Sequence, residues 1–245
     1  IQKLAAKADM LMHNMRPGVP ERLGFGYETV RKLNPRLVYL YAGSYASTGP
    51  HAHRPAFNPT MGAISGLAVF QSGEGNNPMG DAPTGAPDPI AAVTVGTAFM
   101  VGLTARDRTG KGQYMETTMM NSNVLCVSDD AFDYAGKPPR RMPDKAQTGL
   151  EATYRLYETQ SGWVFLAVPK DSEFLDLCKA VGREELSKDA RFSTAANRYK
   201  NRVALGDVLA AVFKAKSADD WESQFTSNDI GCVLADGMGH KWFLH

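Results

Sequence analysis

The sequence is short of cysteine, of net charge and of long apolar runs, and each shortage closes off a class of function. Three cysteines occur, Cys126, Cys178 and Cys232, far apart in the chain. No two have metal-ligand spacing and an odd count gives no disulfide framework, so a reducing, cytoplasmic setting is expected. The 27 lysines and arginines nearly balance the 26 acidic residues, leaving a formal net charge of +1. Such a balance offers nucleic acid no basic field, and a polyanionic ligand must be met by a local group of arginines. The five histidines form no HExxH-type pair. His51 and His53 sit in a Pro/Gly-flanked stretch that reads as surface loop, and no metal site is expected. The run from Ile90 to Ala105 is too short to span a bilayer comfortably and follows an Asp-Pro start signal, so it reads as a buried helix and no membrane association is expected.

What remains is an ordinary globular composition, 43% apolar and 22% charged over 245 residues, enough for two medium domains. The first part alternates strands and helices. Met10 to Asn14 reads as a short strand, Tyr27 to Leu33 as a helix stopped by Asn34-Pro35, and Leu37 to Ala42 as a buried parallel strand. Met61 to Phe70 reads as a helix, and the Gly/Pro/Asn-rich residues 71–87 as a long loop. Asp88 reads as an N-cap with Pro89 at N1, opening a helix to about Arg106. The turn RTGKGQ (108–113), a strand to Met119 and a helix over Asn121 to Ala135 follow. A Pro/basic stretch then changes the character of the chain. Beyond it, strands at Thr153 to Tyr157 and Trp163 to Val168 precede helices over Ser172 to Val181, Thr194 to Lys216 and Ala218 to Phe225. The expected fold is α/β: a large domain with a parallel sheet over 1–135, a linker over 136–150, a smaller α+β domain over 151–236, and a return toward the large domain over 237–245. The first residues do not read as a signal peptide. An uncapped helical start and an apolar end at Trp242-Phe243-Leu244-His245 both read as cut from something longer.

Several segments together resemble the class III coenzyme A transferase family, the CaiB/BaiF-like proteins that include formyl-CoA transferases and α-methylacyl-CoA racemases. The anchors are NMRPGVPERLGFGYETVRKLNPRLVYLYAGSYASTGP (14–50), HRPAFNPTMGAISGL (53–67) and DPIAAVTVGTAFMVGLTARDRTGKGQ (88–113), with LCKAVG (177–182) and DARFSTAANRYKNR (189–202) downstream. The resemblance implies a Rossmann-like large domain, a small domain, and two subunits interlocked as a homodimer. It also implies that the first β-α units and the C-terminal return of the large domain are missing here. Acyl-CoA and a carboxylic acid are the implied substrates, with no tightly bound cofactor.

By pattern alone Asp88 is a helix cap. By resemblance it is the nucleophile, because the family's catalytic aspartate precedes the Arg-Thr-Gly-Lys-Gly-Gln turn by a helix of this length. A carboxylate suits the chemistry, since it attacks a thioester to form a mixed anhydride and then carries CoA as an aspartyl thioester. Asp81 is the rival carboxylate. Asn14, Met15 and Arg16 leave the carboxyl end of a strand, where α/β sheets place ligands. The resemblance assigns them, with Arg22 and Arg54, to CoA, whose phosphates suit arginine forks. Phe57 and Asn58 stand where the family's racemases carry His-Asp, and are expected in the substrate pocket. Phenylalanine transfers no proton, so a two-base inversion is disfavoured and a transferase favoured. An acyl-CoA racemase and a non-catalytic CoA-binding relative remain the alternatives. Solvent deuterium exchange at the α-carbon marks the first, and CoA binding without a covalent aspartyl species marks the second. The segment PDKAQTGLEATYRLY (143–157) replaces the glycine-rich loop of formyl-CoA transferases, so oxalate or formate specificity is not implied.

Overall fold

A computed structural model describes residues 1–73 and 86–235. Of these, 1–71 and 86–140 form one compact unit, and 72–73 and 141–235 a second. The first unit is built from α1 (Gln2–Ala5), β1 (Met10–His13), α2 (Val19–Arg22), α3 (Tyr27–Leu33), β2 (Val38–Gly43), α4 (Asn58–Ile64), α5 (Leu67–Ser72), α6 (Pro87–Thr109), β3 (Gln113–Thr118), α7 (Met119–Cys126) and α8 (Ser128–Ala131). Its three strands are all parallel, in the order β1-β2-β3. The central strand β2 is buried almost throughout, which explains its continuous apolar run. Asn34 stops α3 and ties it to the chain's start: its Nδ2 donates to the carbonyls of Ala5 (3.0 Å) and Ala8 (2.8 Å).

Helix α6 crosses the sheet at Gly102, where an added Cβ would stand 2.5 Å from Met115 Sδ and 2.7 Å from a Val38 methyl. It ends at Gly110, whose φ of +73° lies in the left-handed region. The helix departs from expectation in three ways. It starts at Pro87 with Ala86 in the cap position, so Asp88 lies inside the first turn and its side chain caps nothing. It runs on to Thr109. And it is not buried within this chain: Pro87 and Gly102 are its buried residues, while Val93 is 73% exposed. By length and composition alone it could cross a membrane.

Two other expected helices are interrupted. The first splits into α4 and α5 around Ser65-Gly66, with Gly66 at φ +84°. The second splits into α7 and α8 at Val127, whose φ of −116° and ψ of +33° leave the helical region.

The second unit contains β4 (Gly149–Glu151), β5 (Tyr154–Glu158), β6 (Trp163–Ala167), α9 (Asp171–Ala180), α10 (Glu185–Lys188), α11 (Ala195–Lys200), α12 (Arg202–Phe213), α13 (Ala218–Thr226) and β7 (Cys232–Leu234). Its antiparallel sheet has the order β4-β5-β6-β7. The long helix expected over 194–216 is two, broken at Asn201, whose Nδ2 donates to the Arg191 and Asn197 carbonyls. The core is aromatic. Phe213 stacks on Tyr157 at 4.6 Å and meets Trp221 edge-on at 5.3 Å, and Trp221 Nε1 donates to the Phe213 carbonyl. The buried Arg198 is matched by the Asp171 carboxylate and the Phe192 carbonyl.

Candidate active site

The three parallel strands end together, and the loops leaving their carboxyl ends build the candidate site. A cavity of about 200 Å³ opens there, lined by Asn14 and Arg16 after β1, Tyr41, Ser44 and Tyr45 at the end of β2, and Ala52, Arg54 and Phe57 from the following loop. It therefore gathers four of the residues expected from sequence: Asn14, Arg16, Arg54 and Phe57. Among the described residues its lining contains two guanidinium groups and no carboxylate. Phe57 is 77% exposed within this chain. Met15 and Arg22 are exposed and line neither this cavity nor its neighbour.

Sequence reasoning missed what holds the loop after β2 in place. Glu116 on β3 accepts from the Ser47 amide (2.8 Å) and the Ser47 hydroxyl (2.6 Å), and also from the Tyr114 hydroxyl (3.2 Å). Tyr41 donates to the Tyr45 carbonyl (3.1 Å). The signal for Ser44, Tyr45 and Ser47 was positional, since they directly follow a buried parallel strand. Glu116 carried no signal beyond its strand. A second cavity of about 270 Å³, lined by His13, Glu21, Tyr39, Tyr41, Ser47 and Tyr114, shares Tyr41 with the first. Burial, then Glu21 and Tyr114, raise the Tyr39 phenol above its ordinary range, and burial lowers the His13 imidazole against a smaller opposing pull from Glu21. Both groups are neutral near pH 7.

Neither Asp88 nor Asn58 lines the first cavity, but the backbone of Asp88 is bonded to Asn58 beside it. The Asp88 carboxylate is exposed in the first turn of α6, and its backbone N–H donates to Asn58 Oδ1 at 3.3 Å. Asn58 follows Phe57, which lines the cavity, so the Phe57-Asn58 pair links the basic cavity to the start of α6. Asp81 and the return expected over 237–245 lie outside the described residues. Among the described residues no group of three or more His, Cys, Asp or Glu side chains is arranged to hold a metal.

The fold so defined is a parallel α/β unit with an appended antiparallel α+β unit, and comparison with known proteins places it. Residues 1–238 match CoA-transferase family III, and the chain belongs to that family. It is 30% identical to the acetyl-CoA:oxalate CoA-transferase of Acetobacter aceti, over 89% of this chain and 56% of that protein. It is 29% identical to the succinyl-CoA:glutarate CoA-transferase of Mus musculus, over 94% of this chain and 52% of that protein. A solved CaiB/BaiF family protein from Brucella suis superposes with a TM-score of 0.81 at 26% identity, covering 97% of this chain and 63% of the other. The chain thus spans about half the length of the curated relatives it matches.

Proposed function

We propose that the full-length protein is an acyl-CoA:carboxylate CoA-transferase with Asp88 as nucleophile. The observation that carries this reading is an exposed aspartate whose backbone N–H bonds to Asn58, next in sequence to Phe57 of a cavity that holds Arg16 and Arg54 at the carboxyl ends of parallel strands. Membership of CoA-transferase family III supports it. In the cycle, a carboxylate oxygen of Asp88 attacks the thioester carbonyl, the C–S bond breaks and CoA leaves as its thiolate, giving a mixed anhydride. The thiolate attacks the aspartyl carbonyl, releasing the first acid and forming an aspartyl-CoA thioester. An incoming carboxylate displaces CoA in turn, and the thiolate then attacks the new acyl carbonyl, freeing Asp88. Arg16 and Arg54 hold CoA phosphate oxygens, with Asn14 beside them, and Met15 and Arg22 extend the CoA contact along the same segment. Phe57 offers no exchangeable proton at the cavity, which favours transfer over two-base inversion. The reading includes an interlocked homodimer, which would cover the apolar side chains that α6 leaves exposed, acting in the cytoplasm.

The test is covalent capture. After incubation with acyl-CoA, hydroxylamine converts an activated Asp88 carboxyl into a hydroxamate, and peptide mapping locates it. Asp88→Asn should lose turnover by roughly three or more orders of magnitude, since an amide forms no anhydride. The fold should survive, because the Asp88 side chain makes no capping bond and its contact to Asn58 is through the backbone. An adduct mapped to Asp81 would move the nucleophile off α6 and refute the assignment.

A further inference from the structure

One peptide plane beside the site is gripped on both edges. The Pro87–Asp88 peptide unit presents the Pro87 carbonyl on one side and the Asp88 N–H on the other. The N–H donates to Asn58 Oδ1 at 3.3 Å. The carbonyl accepts from Asn123 Nδ2 at 3.2 Å. The two asparagines lie 30 and 36 positions away along the chain, on α4 and α7, and both helices pack against α6. Gly62 of α4 faces the same place: a Cβ added there would stand 3.5 Å from the Pro87 ring.

The sequence of this turn explains why outside partners are needed. The first amides of a helix have no partner within it. Pro87 and Pro89 have no N–H to satisfy. The amide of Ile90 already donates to the Ala86 carbonyl at 3.2 Å. Asp88 therefore carries the one amide of this turn that must be met by another element, and α6 has no side-chain cap of its own. Asn58 accepts that amide. Asn123 works in the opposite sense: fully buried, it donates through one NH₂ group to both the Pro87 carbonyl and the Met119 carbonyl (2.7 Å). Two carbonyl acceptors require two N–H donors, which an asparagine side chain supplies and an aspartate does not. Asn123 is itself set by the start of α7, where Thr118 Oγ1 accepts the Asn121 amide at 3.0 Å.

We propose that Asn58 and Asn123 are positioning residues that clamp the Pro87–Asp88 peptide and so fix where the Asp88 carboxylate stands. The peptide unit is planar and stiff, so gripping its two edges fixes the Asp88 Cα. This goes beyond lining the pocket, the role expected of Asn58, and gives Asn123 a role that its sequence position did not suggest. It rests on the reading of Asp88 as nucleophile.

The test compares one isosteric change at two positions in the full-length protein, reading single-turnover formation of the Asp88 adduct alongside steady-state KM. Asn58→Ala should slow adduct formation about 10- to 100-fold, the cost of a displacement near 1 Å, with the KM for acyl-CoA changed by no more than about threefold. Asn58→Asp should restore the rate to within about fivefold, because a carboxylate oxygen accepts the same amide. Asn123→Asp should lose at least as much as Asn58→Ala, since it turns a carboxylate toward two carbonyls. If Asn123→Asp does not fold, as read by thermal melting, the Asn58 pair decides alone. Adduct formation within about twofold of the parent in Asn58→Ala overturns the clamp, as does an Asn58→Asp variant no faster than the alanine one, which would mean that the amide N–H groups of Asn58 serve the substrate directly. Asp88→Asn is run in parallel. If it turns over normally, the nucleophile reading fails and the clamp with it. If it is silent while Asn58→Ala is fast, only the clamp fails.

Discussion

Replacing Arg16 with alanine should weaken CoA binding by about tenfold, and the structure sets that size. A hydrogen bond to a charged partner contributes about 1.5–3 kcal/mol, whereas an exposed ion pair contributes about 0–1 kcal/mol. Arg16 lies between these limits: it lines the cavity beside Arg54, yet its side chain is exposed in this chain. The lower end of the charged hydrogen-bond range, about 1.5 kcal/mol, corresponds to about a tenfold change in Kd. Arg22 ends α2 and lines neither cavity, so Arg22→Ala should cost under about 1 kcal/mol, fivefold or less. Arg16→Lys should fall between parent and alanine, because it keeps the charge and loses the planar fork. Titration calorimetry with CoA and with dephospho-CoA, at one ionic strength near 0.1 M so that screening is constant, reads these differences. A smaller penalty for Arg16→Ala with dephospho-CoA would place the guanidinium on the ribose phosphate. Unchanged affinity in both arginine variants would refute the cavity as the phosphate site. A larger loss in Arg22→Ala than in Arg16→Ala would move the phosphates out along α2.

Two further expectations concern the second unit and the thiols. Phe213→Ala removes a fully buried ring packed between Tyr157, Trp221 and Phe225, and should destabilise the second unit by about 3–5 kcal/mol in urea titration, where a loss under about 1 kcal/mol would contradict the packing described. A thiol reagent at pH 8 should find Cys126 quickly, because it is exposed, and the other two slowly: burial pushes the Cys178 thiol up to about 11, and burial with Glu222 nearby pushes Cys232 up to about 12. Three thiols reacting at one rate would show that the second unit opens readily.

Elements that declare themselves locally were readable from the sequence. The strand Val38–Gly43 announced itself by an unbroken apolar run, because both of its faces are covered. The helix Tyr27–Leu33 was bounded by Asn34-Pro35, a stop that works through local backbone sterics. Elements defined by distant partners were not readable. The three-residue strand Cys232–Leu234 is too short for a period, and exists because β6 offers it an edge. The break at Asn201 gives no glycine or proline signal, since it is an asparagine amide reaching back to the Arg191 carbonyl. The cover expected for α6 is not supplied by the described residues of this chain. An apolar composition states that a surface needs cover, not that the same stretch of chain supplies it.

The site divides along the same line. Family resemblance singled out Arg16, Arg54, Asn14 and Asp88, and the structure places the first three around one cavity and Asp88 at the start of α6. What makes them a constellation was not legible, because it consists of contacts between residues 30 to 69 positions apart: Asn58 to Asp88, Asn123 to Pro87, Ser47 to Glu116. The misplacement of the α6 start shows the difference. Asp-Pro reads as cap and N1 when the turn is considered alone. In the fold, Pro87 takes the first helical position instead, because its fixed φ suits that place and it has no amide to satisfy, and the cap's task passes to Asn58 on another helix. An aspartate whose side chain is the helix's own cap spends its oxygens on backbone amides. With the capping transferred to Asn58, the Asp88 side chain makes no hydrogen bond to another described residue, which is the condition that the proposed role of carboxylate nucleophile requires.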